Sequence, residues 1–281
     1  MIHNLNITAV VENTAGTFDA AGEWGLALWI EADQHRILLD TGQGHTLRQN
    51  ARLLGIDLST AEALVVSHGH SDHTGGVAEL IAEGFSGKTY IHPAALNDKY
   101  QREKMPPHRA KGIPPVSRQA LLSKRTQLVE SSRPTEIAPG IVVTGTIPRR
   151  NTYEDIADPF FLDENCTRPD SLIDDQALLI ETQRGWAVIT GCGHSGLINT
   201  LNYACELIGK GRLVAVVGGL HLFRASAERI RATAENLRAF DVQMIVPGHC
   251  TGFEATGRLQ HDFGSKVAPL RAGLTVRVSE A

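Results

Sequence analysis

Apolar positions recur along this chain in short bursts with period two, separated by longer stretches with helical spacing. Leu5, Ile7, Ala9 and Val11 alternate with mostly polar neighbours, which predicts a strand with one buried face. Trp24, Leu26, Leu28 and Ile30 repeat the pattern, and Asp33-Gln34 reads as a tight connection to a third strand, His35–Leu39. Thr46 is placed to cap a helix carrying Leu47, Leu53 and Leu54, with Gly55 as its stop. Ala63–Val66 is a short apolar strand, followed by a helix with Val77, Leu80 and Ile81 on one side and by a strand at Thr89–Ile91.

Strands and helices continue through the second half. Ala177–Ile180 and Trp186–Ile189 flank Arg184-Gly185 as a hairpin, and Ser195 is placed to cap a helix carrying Leu197, Leu201, Ala204 and Ile208. Leu213–Val217 is wholly apolar and suits a sheet centre. Ser226 opens a helix with Ile230, Ala234 and Leu237 on one side, and strands follow at Met244–Val246 and Thr275–Val278. Strands early and late, with helices added by each half, predict an α/β fold of two stacked β layers covered by helices. Two aperiodic regions interrupt the order, about 97–117 and 148–175. Irregular segments this long inside a compact domain are usually functional loops or disordered, and these are expected to wall or cover a cleft in a single domain spanning 1–281.

The 281 residues carry a formal net charge of -4, which gives no reason to expect a nucleic-acid-binding face or attraction to an anionic membrane. No apolar run approaches the roughly 20 residues of a membrane span. Met1–Asn6 lacks the basic start and apolar core of a signal peptide. Cys166, Cys192, Cys205 and Cys250 form no C-x-x-C pair. The expected setting is therefore the reducing cytoplasm, without a disulfide framework.

Candidate chemistry concentrates after Ala63–Val66. Ser67-His68-Gly69-His70-Ser71-Asp72-His73-Thr74-Gly75-Gly76 puts three imidazoles and a carboxylate into six positions. Four N and O donors this close on a constrained loop suit one or two divalent cations, zinc first, with manganese or iron as alternatives. Three further histidines follow predicted strands, each with a glycine one or two residues before it: His194, His221 and His249. His194 and His249 are candidate ligands. His221 is open between ligand and proton donor. Cys192 and Cys250 each lie within two residues of one of these histidines. Asp40, at the end of the third strand, is either a turn cap or a carboxylate that orients a ligating imidazole.

His-x-His-x-Asp-His after an apolar strand resembles the signature of the metallo-β-lactamase superfamily. Val11-Glu12-Asn13, Leu39–Gly42, Ile147-Pro148-Arg149, Asp174–Leu178, Thr190–Gly196, Gly218–Leu222 and Pro247–Gly252 resemble more narrowly the branch that contains the archaeal methanopterin-pathway dihydropterin (ribofuranosyl)aminobenzene-phosphate synthase. The resemblance implies a four-layer αββα sandwich with a di-metal site at one edge of the sheets. It implies that His68 and His70 bind a first cation and that Asp72, His73 and His249 bind a second. The chain departs from the pattern twice. Gly145-Thr146-Ile147 stands roughly where another ligating histidine is expected, and Cys192 roughly where a bridging aspartate is expected. His194 could supply the missing imidazole, and Cys192 is either a thiolate ligand or a bystander.

These residues lead to the expectation of a metal-dependent hydrolase whose metal-bound hydroxide attacks a small ester, lactone or phosphoester. Asp72 would orient or deprotonate the water, and His221 would protonate the leaving group. Arg109, in the basic stretch Lys99–Lys111, and Arg149 would either hold an anionic part of the substrate or be ordinary surface charge. Two alternatives remain: a condensing synthase acting on a pterin, with Tyr153, Phe160 and Phe161 as stacking surfaces, and a non-catalytic metal-binding module.

Overall fold

The computed structural model describes residues 1–123, 127–154, 159–209 and 211–278. In chain order, the strands of the first half are β1 (Leu5–Val11), β2 (Ala27–Ala32), β3 (His35–Leu39), β4 (Ala63–Val66), β5 (Lys88–Ile91), β6 (Tyr100–Gln101), β7 (Arg109–Ala110) and β8 (Leu128–Glu130). β9 (Thr135–Ala138), β10 (Ile141–Val143), β11 (Phe160–Phe161), β12 (Ala177–Thr182), β13 (Gly185–Thr190), β14 (Leu213–Gly219), β15 (Met244–Gly248) and β16 (Thr275–Arg277) follow. The helices are α1 (Leu47–Leu53), α2 (Ser71–Thr74), α3 (Val77–Ala82), α4 (Pro115–Ser123), α5 (Leu197–Ile208), α6 (Ala227–Leu237) and α7 (Phe253–Phe263).

Among the described residues, one sheet runs β16-β1-β2-β3-β4-β5-β8 and a second runs β15-β14-β13-β12-β10-β9. The alternation of side chains along each strand decides the layering. Leu5, Ile7, Leu28, Ile30, Ile37 and Val65 of the first sheet share one core with Leu178, Ile180, Ile189 and Val217 of the second. The opposite faces are covered separately. Trp29, Leu38, Leu64 and Val66 pack with Leu47, Val77, Leu80 and Leu121 from the helices of the first half. Leu179, Val188 and Val216 pack with Leu201, Ile230 and Leu259 from α5, α6 and α7. The result is the expected αββα sandwich. No helix among the described residues is long and apolar enough to cross a membrane.

Several local expectations are revised by packing. β1 is buried on both faces, because helices cover the side that faces away from the second sheet. β2 begins at Ala27, not Trp24, and Trp24 stands outside the strand with 42% of its surface exposed. Thr46 occupies the N-cap position of α1 but makes no capping hydrogen bond. Ser195 does not cap α5 either. Glu154 does so from the second insertion, accepting from the Ile198 and Asn199 N–H groups at 2.8 and 2.9 Å. A buried carboxylate there satisfies two orphan donors and sits at the positive end of the helix dipole. Ser226 caps α6 as expected.

The two insertions are stitched together. β6 pairs with both β7 and β11, so a small three-stranded sheet joins the 97–117 and 148–175 segments; residues 155–158 of the latter lie outside the described residues. Beneath this sheet the Lys99 ammonium is buried between Asp170 and Asp174, at 2.7 and 3.0 Å. Burial alone would lower its pKa, but Asp174 and Asp170 outweigh that and raise it. Asp174 also accepts from the Gly69 N–H at 2.8 Å, between His68 and His70. The insertions are thus anchored to the histidine loop by one charge network. Lys99→Met strands two buried carboxylates, and urea denaturation should register a loss of about 3–5 kcal/mol. A loss under about 1 kcal/mol would mean the network does not hold the insertions in place.

Candidate metal centre

The parallel strands β13, β14 and β15 end on the same side as β4, and every candidate histidine follows one of these ends. His68 and His70 follow β4, His194 follows β13, His221 follows β14, and His249 follows β15. The backbones approach closely at this edge. A Cβ on Gly191 would lie 2.0 Å from Ser67 Oγ and 2.8 Å from Asp40 Oδ2, so only glycine fits there. Asp40, His221 and His249 carry positive φ of 61°, 49° and 50°. Such strain in non-glycine residues clusters at functional sites.

The imidazoles gather into two adjacent sets. His68 Nε2 lies 3.0 Å from His70 Nδ1 and 3.2 Å from His194 Nε2. His73 Nε2 lies 3.1 Å from His249 Nε2 and 3.2 Å from Cys192 Sγ. Cys192 Sγ falls within 4.8 Å of the nitrogens of His68 and His194 as well, so the thiol stands between the sets. Two nitrogens sharing one tetrahedral zinc at 2.0–2.1 Å would be about 3.3 Å apart, close to these separations.

Hydrogen bonding behind the rings determines which nitrogen is bare. Ser67 Oγ donates its one proton to Asp40 Oδ2 at 2.6 Å, so it accepts from His68 Nδ1 at 2.9 Å. Asp40 Oδ2 also accepts from His73 Nδ1 at 2.7 Å. Asn13 Oδ1 accepts from His249 Nδ1 at 3.0 Å, and Glu12 Oε1 holds the His249 N–H at 2.6 Å. The Nε2 lone pairs of His68, His73 and His249 therefore point into the cleft. The His73 and His249 lone pairs face each other, which requires a positive charge between them, a proton or a metal cation. Buried nitrogen and sulfur donors oriented this way fit a divalent cation of borderline softness.

Electrostatics agree with this reading. Burial, with cationic neighbours, holds His68, His70 and His194 well below the usual imidazole range. Burial brings His249 down to about 4. His73 is raised, because Asp40 outweighs its burial. Burial pushes the Cys192 thiol up, with Cys250 adding to the effect; a bound cation would reverse that direction.

The remaining candidates occupy distinct places. Asp72 accepts from Trp24 Nε1 at 3.0 Å, lies 3.8 Å from His249 Nε2, and has Lys111 Nζ at 3.6 Å. It stands at the edge of the second set. Burial would raise its pKa, but His73, Lys111 and His249 hold it at about 2. His221 is half-buried with its ring 4.1 Å from that of His194, and it falls in a further trio with Cys192 and Cys250. A cavity of about 390 Å³ opens over the centre, and its lining includes Trp24, Arg109, Lys111, Phe160, His221 and Phe223. Arg149 is not part of that lining. Its guanidinium donates to the His194 carbonyl at 2.6 Å and the Ser171 carbonyl at 3.2 Å, so it positions the His194 loop. Asp175 does the same from the other side, accepting from the Ser195 N–H at 2.7 Å. Phe161 lies under Arg102 and Tyr153 packs on the α5–α7 core. Of the three proposed stacking residues, only Phe160 therefore lines the cleft.

Sequence reasoning did not bring Trp24 or Lys99 to the site, and took Cys250 only as a neighbour of His249. Trp24 looked like one more strand residue. Lys99 was one cation in a basic stretch, and no local signal distinguishes the buried one. Cys250 stood beside His249, which was a usable signal.

The sequence model described as the metallo-beta-lactamase superfamily matches residues 25–197. The chain is 27% identical to the 7,8-dihydropterin-6-methyl-4-(beta-D-ribofuranosyl)-aminobenzene-5'-phosphate synthase of Methanocaldococcus jannaschii, across 98% of this chain and 97% of that protein. It is 34% identical to the uncharacterised protein MJ0448 of the same archaeon, across 90% and 93%. Among solved structures, Tm1679, a metal-dependent hydrolase of the beta-lactamase superfamily, superimposes with a TM-score of 0.83 at 29% identity, covering 98% of this chain and all of that one.

Asp40→Asn removes the carboxylate that holds the His68 and His73 protons on Nδ1. Metal affinity, measured by competition with a chelator, should fall about 10–100-fold. An unchanged affinity would show that Asp40 is only a turn residue.

Proposed function

The chain belongs to the metallo-β-lactamase superfamily, and within it we propose a metal-dependent hydrolase of small anionic esters, lactones or phosphoesters. The observation that carries this reading is the pair of imidazole sets meeting at Cys192 on the floor of a cavity walled by Arg109 and Lys111. His68, His70 and His194 would hold one divalent cation and His73 and His249 a second, with Cys192 between them and zinc as the first choice for these donors. Such a cation supplies Lewis acidity toward a carbonyl or phosphoryl oxygen and lowers the pKa of water from 15.7 to about 7.

The protein's own groups do the rest. With its pKa at about 2, Asp72 is a poor proton store; it orients water by accepting a hydrogen bond and leaves the proton to another group. Its Oδ1 makes no hydrogen bond within the protein and faces the Lys111 ammonium at 3.6 Å. His221, lining the same cavity, is placed to protonate a leaving group. Arg109 and Lys111 attract the anionic part of the substrate. Phe160, whose ring lies 4.5 Å from that of His70, and Trp24 exclude bulk water beside the ligands.

One observation favours a second reading. The 27% identity with a synthase whose name carries a dihydropterin runs the length of the chain. On that reading the same cations stabilise charge during a condensation. Tight binding of reduced pterins in a ligand panel, with no turnover of simple esters, lactones or phosphodiesters, would favour it.

Under the hydrolase reading, protein purified without a His tag should carry metal by elemental analysis and turn over a generic lactone or phosphodiester. Chelation or His68→Ala should abolish that activity. Undiminished activity in metal-free protein would end the proposal. Arg109→Gln should raise KM about tenfold for anionic substrates and leave neutral ones near wild type. Arg149→Gln, acting through the His194 carbonyl, should weaken both kinds equally.

A further inference from the structure

A second cavity, of about 310 Å³, adjoins the metal cleft. Trp24, Phe223 and His249 line both cavities, so these three side chains form the partition between them. Trp24 and Phe223 meet edge to face at 5.4 Å between ring centroids, and Trp24 also contacts the His249 ring at 5.5 Å. On the far side stands Phe253, the first residue of α7, 87% exposed, while Phe223 is 56% and Trp24 42% exposed. Gly252 permits this arrangement. It has φ +78°, and a Cβ there would lie 3.1 Å from Phe223 Cα. Asn13, Gln260 and Arg271 supply polar lining.

Three large aromatic faces exposed to water around one concavity run against ordinary burial and mark a binding surface. The occupant is set by continuity and shape. The crevice touches the metal cleft through a shared wall of flat rings, and flat rings complement other flat rings at 4.5–7 Å. We propose that this crevice is an aromatic subsite. It binds a planar aryl or heteroaryl ring, the part of the substrate that is not cleaved, while the reacting group lies at the cation centre. Polar substituents on the ring edge are met by Gln260 and Arg271. The proposal rests on the catalytic reading above and names the substrate class, compounds with a flat ring a few bonds from the scissile group.

The test separates the two ideas by using a probe that needs no turnover. Binding of 2-naphthoate and of cyclohexanecarboxylate, which share a charge but not a planar ring, is measured by calorimetry on the full-length chain. Naphthoate should bind at least tenfold more tightly. Phe253→Ala should remove about that factor for naphthoate only, and Phe253→Tyr should restore it. Among 4-nitrophenyl esters, which share a leaving group, Phe253→Ala should raise KM for the naphthoate ester with kcat unchanged, and leave the acetate ester alone. Equal affinity for the two carboxylates, or naphthoate binding indifferent to Phe253, overturns the subsite. So does Phe253-dependent dimerisation in sedimentation, which would give this face to a second copy of the chain. Selective naphthoate binding without turnover of any ester sustains the subsite and counts against hydrolysis alone.

Discussion

Asp40 follows β3 with positive φ, fully buried, and its two oxygens accept from the Ser67 N–H, the Ser67 hydroxyl and His73 Nδ1. Through Ser67 it also sets the tautomer of His68. One carboxylate therefore turns the bare nitrogens of both imidazole sets into the same cleft. Everything the centre can do depends on this, because a neutral imidazole offers one lone pair and must have its proton held elsewhere. Burial disfavours protonation of the neighbouring rings, which keeps their lone pairs available.

Around that carboxylate the fold spends its irregularities. Gly191 lets the β13 end come close enough to Ser67 and Asp40 for His194 to meet His68. Glu12 and Asn13, at the end of β1, fix His249 from the opposite sheet. Lys99 ties the two insertions to the loop between His68 and His70 through Asp174. Each contact joins segments remote in sequence, so the centre is a product of the sandwich edge and not of any one loop.

The surroundings of the centre bear on selectivity more than its donors do. Fold and donor set are compatible with many reactions. Arg109 and Lys111 place positive charge beside the histidines, and Trp24, Phe160 and Phe223 place flat apolar faces there. Trp24 couples the two, since its indole N–H is held by Asp72 while its ring forms part of the wall shared with the neighbouring crevice. On the proposed reading, charge on one side and aromatic surface on the other define the kind of molecule that fits.

Much of this was legible in the sequence, for a physical reason. Strand alternation and the helical stripes reflect burial on one or two faces, and they located most elements because each is a local consequence of backbone geometry. The His-x-His-x-Asp-His run and the glycine-histidine strand ends were visible because metal donors are rare residue types in a tight pattern. Tertiary structure alone decided the rest. Nothing local distinguishes a buried Lys99 from its solvated neighbours, or sends Arg149 to a backbone carbonyl and Arg109 to the cavity wall. The capping of α5 by Glu154 instead of Ser195, and the removal of Trp24 from β2 to the mouth of the site, follow from contacts more than forty residues apart. Periodicity reports which face of an element is buried. It carries no information about which distant segment arrives to bury it, and in this protein those arrivals build the centre.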